Sequence, residues 1–285
     1  MTLPELIKEY NITFVNGERM YIINLDTNNM IFENTTPFYF RYLENEIYCN
    51  SWKNLLPSIF KIFNEINPKT NEELLCIKNT WGKQDVFSTI KLSNYIEVEN
   101  GVFMNCNHTA IHAFNTIQLL SNEYHVNSCD CLLVIKRQPL AEPGAVKEYF
   151  KNESIKKFKA YLKYVKNISE SSIDIIVKNV ESINKNFLQK ISKGYNDFFL
   201  IENPSTFFNY MVKTNDEIRK SMRYPEKVKN AIYRQLNYLY DFIRVDRKKR
   251  MKEMPSFLVD TSENIEEDTT IDNDLLKYLD IDDLI

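Results

Sequence analysis

The sequence predicts an α+β N-terminal domain, then an all-α basic helical domain, then a disordered acidic tail. Three observations predict this. Residues 1–143 mix short alternating apolar runs with short helical ones, and Asn100-Gly101 supplies the positive dihedral angles of a tight hairpin. Residues 147–252 repeat apolar side chains at helical spacing. Charge also changes sign along the chain. Residues 147–252 hold 24 Lys/Arg against 12 Asp/Glu, 253–285 hold 1 against 11, and 1–146 hold 11 against 16. The formal total of −3 hides that separation.

In chain order, residues 1–48 read as mostly extended. Arg19 to Leu25 is a candidate strand, Asp26-Thr27-Asn28-Asn29 a turn and Met30 to Phe32 a return strand. Phe38, Phe40 and Tyr42 alternate at strand spacing. Ser51 can cap a helix from Trp52 to about Ile66, which Asn67-Pro68 breaks. A short helix follows around Asn71 to Ile77, then the Tyr95–Met104 hairpin, a helix over Thr109–Tyr124 and a buried strand over Cys131–Lys136. Short helices beside a hairpin permit a winged-helix-like fold; an ordinary α+β packing unit is the alternative. Pro139 and Glu142-Pro143-Gly144 mark the domain boundary.

Beyond it, Ile155, Phe158, Leu162 and Val165 line one face of a helix whose other positions carry Lys156, Lys157, Lys159, Lys163 and Lys166. Ser169 or Ser171 can cap a second helix carrying Ile173, Ile176, Val177, Val180, Ile183, Phe187 and Ile191, with Gly194 as its end signal. A third helix follows Asn203-Pro204-Ser205 with Phe207, Phe208 and Met211 on its apolar side. Pro225 opens a long fourth helix with Val228, Ile232, Leu236, Leu239 and Ile243 inside. That helix runs out into Arg244, Arg247, Lys248, Lys249 and Arg250.

The stretch from Ile155 to Lys190, with the later run from Val228 to Ile243, resembles the small SAM-like helical domain that precedes the catalytic domain of tyrosine recombinases. Ser51–Ile66 and Gly101–Leu120 resemble accessory modules of bacterial restriction-type nucleases. The resemblance implies a DNA-clamping role for the helices. It implies no catalysis, because the recombinase Arg, His-x-x-Arg and Tyr pattern and the HNH motifs are not recognisable.

Composition limits the alternatives. Only 5 Gly, and no Gly-rich phosphate loop or dinucleotide fingerprint, predict no cofactor. The first 20 residues lack the apolar core of a signal peptide, and no run reaches the roughly 20 apolar residues of a membrane span. The chain reads as soluble and cytoplasmic, with its 5 Cys reduced. Cys106, His108, His112, His125, Cys129 and Cys131 fall close together and are zinc-ligand types, but Cys-x-x-Cys knuckles are missing and Cys129 and Cys131 suit a strand. No metal site is expected. A carboxylate-x-Lys nuclease needs an acid two residues before its Lys, where Lys136 has Val134. No catalytic residue is assigned.

What remains is the basic domain. Lys and Arg neutralise phosphates, and tyrosines interleaved among them can stack on unpaired bases. The expected function is therefore a non-enzymatic nucleic-acid-binding accessory protein of a bacterial or phage DNA-processing or defence system. DNA or RNA would meet residues 147–252 through Lys156, Lys157, Lys159, Lys163, Lys166, Arg244, Arg247, Lys248, Lys249 and Arg250. The acidic tail ends in an amphipathic segment, and Leu275, Leu276, Leu279 and Leu284 are candidates to dock on a protein partner. The alternatives are a protein-interaction subunit whose basic face meets an acidic partner, and a cryptic metal-dependent nuclease. A solvated surface and a solubilising tail are the simplest readings of the same charges.

Overall fold

The computed structural model describes residues 1–26, 34–79, 85–106, 108–222 and 224–252. The elements run α1 (Leu3–Tyr10), β1 (Ile12–Val15), β2 (Glu18–Ile23), β3 (Thr35–Tyr42), β4 (Asn45–Tyr48), α2 (Trp52–Ile66), α3 (Asn71–Cys76), β5 (Phe87–Ser88), β6 (Tyr95–Glu99), β7 (Val102–Asn105), α4 (Ala110–Glu123) and β8 (Cys131–Arg137). Then come α5 (Gly144–Tyr164), α6 (Glu170–Ile183), a π turn (Asn184–Leu188), α7 (Gln189–Ile191), α8 (Pro204–Lys220) and α9 (Glu226–Lys252). An α+β N-terminal region followed by helices is thus the architecture observed. The first residues differ from expectation: Leu3–Tyr10 is a helix, in which Leu6 turns inward and is fully buried while Glu5, Ile7 and Lys8 stay exposed. The predicted return strand over Met30 to Phe32 lies outside the described residues.

The chain divides into two compact units. One holds Ile7–Thr13 with Met20–Ala141; the other holds Met1–Leu6, Phe14–Arg19 and the chain from Glu142 onward. In the first unit a five-stranded sheet runs in the order β1-β2-β8-β3-β4, and a three-stranded sheet in the order β5-β7-β6. Strand β8 pairs antiparallel with β2 on one side and β3 on the other, and Leu133, Val134 and Ile135 are buried. Such an all-apolar run is what a central strand requires. Helices α2 and α4 pack together, and Phe60, Phe63 and Tyr124 join their rings. The Tyr124 hydroxyl donates to Asn64 Oδ1, and Asn64 Nδ2 donates to Glu99. Buried polar groups are thereby satisfied.

The second unit is helical. Phe158, Tyr161, Leu162, Ile173, Val177, Val180, Phe207, Met211, Leu236, Leu239 and Phe242 share one core. Each fully buried apolar side chain contributes about 1.5–3 kcal/mol relative to exposure, so the periodic faces hold the helices together. Asn203 accepts from the Thr206 amide and Pro204 takes the first helical position, which starts α8. Ser169 occupies the cap position of α6 but bonds Ser172 Oγ instead of a backbone amide. The second helix ends at Ile191, before Gly194. Phe208 and Val228, expected inside, are 44% and 40% exposed.

Candidate nucleic-acid interface

Most of the ten nominated cations are occupied within the helical unit. Lys159 reaches Asp174 at 2.8 Å, Lys163 reaches Glu170 at 2.7 Å, Lys166 reaches Asp241 at 3.1 Å, and Lys157 lies 3.7 Å from Asp246. Glu170 and Asp174 titrate below the ordinary carboxylate range, first because Lys163 and Lys159 donate hydrogen bonds to them. Lys156 projects to solvent, and Arg244 stacks over the Tyr240 ring. The run after Ile243 does not leave the helix. Val245 and Asp246 are buried, and α9 continues to Lys252. Arg247 Nε donates to the Asn16 carbonyl, and Arg250 reaches Glu202 at 3.2 Å and Asp246 at 3.0 Å. Lys248 and Lys249 also have partners.

These arginines belong to a buried network that sequence reading missed. Arg19 is 4% exposed and sends Nε to Glu142 at 3.1 Å and Nη1 to Glu202 at 3.1 Å, with its guanidinium 4.1 Å from the Phe150 ring centroid. Glu18 takes Asn203 and Arg247. The turn at Asn16-Gly17 touches α9: a Cβ on Gly17 would stand 3.2 Å from the Arg247 carbonyl oxygen, and φ there is +71°. The network borders a cavity of about 110 Å³. No local motif announces it, because its members are far apart in sequence.

Further unpaired positive charge lies outside the nominated set. Asn184, 3% exposed, donates to Asp197 and accepts from the Phe198 amide, and this anchors a π turn over Asn184–Leu188. Lys185, Lys190, Arg219 and Lys227 are exposed and form no ion pair among the described residues. Their segments converge. Asn186, Phe187, Lys190, Ile191, Glu217 and Lys220 line one cleft of about 310 Å³. The Phe187 and Tyr224 rings meet at 6.0 Å, and Lys229 Nζ donates to the Arg219 carbonyl. The corner thus joins the π turn, α7, the end of α8 and the start of α9. Three acids sit there: Glu217 pairs with Lys220, Glu226 pairs with Lys229, and Asp216 is exposed near Lys220. Single-turn π insertions frequently mark functional sites. A run of Asn, Lys and Phe gives no sequence sign of one.

Of the tyrosines considered for base stacking, Tyr161 and Tyr195 are core residues, and Tyr164 and Tyr233 are 42% and 40% exposed. Leu275, Leu276, Leu279 and Leu284 lie outside the described residues. Among the described residues no group of three or more His, Cys, Asp or Glu could hold a metal ion, and no helix is long and apolar enough to cross a membrane. Burial pushes the Cys49 thiol up to about 11 and those of Cys106 and Cys131 to about 12, so these three are poor nucleophiles. Glu97 is exposed, while Glu99 is half-buried on Asn64. Comparison with protein-family models, curated proteins and solved structures finds no match to the chain.

Proposed function

We propose that the chain is a non-enzymatic nucleic-acid-binding accessory protein of a bacterial or phage DNA-processing or defence system. The cationic corner of the helical unit holds the phosphate backbone, and the N-terminal α+β region and acidic tail meet protein partners. One observation carries the reading. Asp246, Asp174, Glu170 and Asp241 hold Lys157, Lys159, Lys163 and Lys166, while Lys185, Lys190, Arg219 and Lys227 stay unpaired around one corner. An unpaired exposed cation can exchange its counterion for a phosphate; a cation already held by a carboxylate must first give it up.

The test compares two sets of charge reversals in the full chain. Lys185→Glu, Lys190→Glu, Arg219→Glu and Lys227→Glu together should abolish binding to DNA and RNA oligonucleotides in fluorescence anisotropy. Lys159→Glu with Lys163→Glu should weaken it much less. If about four phosphates are neutralised, wild-type affinity falls about a hundredfold between roughly 50 and 200 mM salt. Absence of binding at low salt overturns the proposal, as does equal loss from both sets.

A further inference from the structure

The cleft at this corner supports a narrower statement about the ligand, which rests on the nucleic-acid reading. Its volume of about 310 Å³ is at the lower end of small-molecule sites, about 300–1,000 Å³. One flat ring with its sugar fits that space, and a double helix does not. Phe187 and Ile191 give it an apolar wall. Tyr224 holds the Phe187 ring at 6.0 Å with the planes tilted by 50°, so the two rings do not stack on each other. Lys190 lines the same space without an ion pair, while Lys220 on the facing helix is held by Glu217 at 2.8 Å. Asn186 donates its amide to Ser182 and so keeps its carbonyl oxygen as an acceptor. The π turn inserts an extra residue beside Asn186 and Phe187, which shifts both out of the register of α6.

An aromatic wall beside an unpaired cation is the combination that single-strand binding sites use. A duplex keeps its bases stacked and presents only phosphates to such a corner. We propose that the cleft takes one unpaired base against Phe187, with a flanking phosphate on Lys190, so that the protein selects single-stranded over double-stranded nucleic acid. The chemistry is common to RNA and DNA, and both strands belong in the test. A tethered or foreign acidic peptide would satisfy Lys190 but would leave the aromatic wall unused.

The experiment uses the full chain with an aminopurine-labelled oligonucleotide, as RNA and as DNA, alone and annealed to its complement. The single strand should bind about tenfold tighter than the duplex, and stacking should quench the aminopurine emission. Phe187→Leu keeps apolar volume and should lose the quench and most of the preference while duplex affinity stays. Because Phe187 also touches the core, Asn186→Trp is the second variant; it fills the cleft from a half-buried position and should have the same effect. Thermal melts report whether each variant is folded. Duplex binding equal to or tighter than single-strand binding overturns this inference and leaves the function standing. So does a preference that survives both variants. Failure to bind any nucleic acid removes the function itself.

Discussion

Replacing Arg19 by Met tests whether the buried ion network holds the helical unit together. The guanidinium is 4% exposed and its main partner Glu142 is 1% exposed, with contacts at 3.1 and 3.4 Å. Breaking such a pair leaves a carboxylate in a place water scarcely reaches, which costs about 3–5 kcal/mol. Glu202 is 16% exposed, so solvent offsets part of the loss on that arm. Met also keeps some of the contact that Arg19 makes with Phe150. These considerations place the loss near the low end, about 3 kcal/mol, or roughly 10 °C in Tm for a chain of this size. Adding Glu142→Met should return much of that stability, since an apolar pair of similar volume is often neutral. Urea unfolding of wild type, both single variants and the double gives the coupling directly. A loss under about 1 kcal/mol for Arg19→Met would refute the argument, as would a double variant no better than the sum of the singles.

Two further outcomes follow. Burial, with a smaller contribution from His112, lowers the His108 pKa below its ordinary 6.5. The unfolded chain then takes up the proton first, so stability falls as pH drops below about 6.5 and levels off below the folded value. His108→Gln should flatten the dependence of the urea midpoint on pH in that window, and an unchanged slope sinks the assignment. Deleting residues 260–285 removes most of the tail's acids, which are tethered beside a basic unit at high effective concentration. Nucleic-acid binding should tighten at low salt, and the difference should shrink as salt rises. Leu275→Ser, Leu276→Ser and Leu279→Ser should leave that screening unchanged, and an anisotropy titration with no effect of deletion rejects it.

The fold was legible wherever a pattern was local. Apolar spacing placed α2, α4, α6 and the core of α9, Asn100-Gly101 placed the β6–β7 turn, and the mostly apolar run over Cys131–Lys136 placed the central strand, observed as Cys131–Arg137. The misses have physical causes. Helix α1 is only two turns with a single buried residue, too short to show a period. Phe208 stands beside Phe207 at the same apolar spacing limit, and only packing decides which one turns inward. The basic run from Arg244 looked like a solvated end because Glu18 and Glu202, which anchor Arg247 and Arg250, are far away in sequence. The same distance hid Arg19 and Glu142. Charge content was readable by counting, but its location depends on which acids each helix meets.

That last point explains why the proposed interface moved from α5 to the corner. An isolated cation acts on a phosphate as a monopole and is screened over about 8–10 Å in salt. A Lys at 2.8 Å from a carboxylate acts outward as a dipole, whose field dies away faster. Lys159 and Lys163 are such dipoles, so their share of the formal charge scarcely reaches a ligand. Reversing Lys159 would also place a second acid beside Asp174, which turns a neutral pair into a repulsive one. A small loss of binding there would report a new negative patch and not a lost contact. Lys185, Lys190, Arg219 and Lys227 form no ion pair among the described residues, so Ala in their place releases no held carboxylate and should weaken binding almost as Glu does, after allowance for the doubled charge change. Ala at Lys159 and Lys163 should leave Glu170 and Asp174 exposed and unpaired, and the comparison of Ala with Glu at each position separates contact from field.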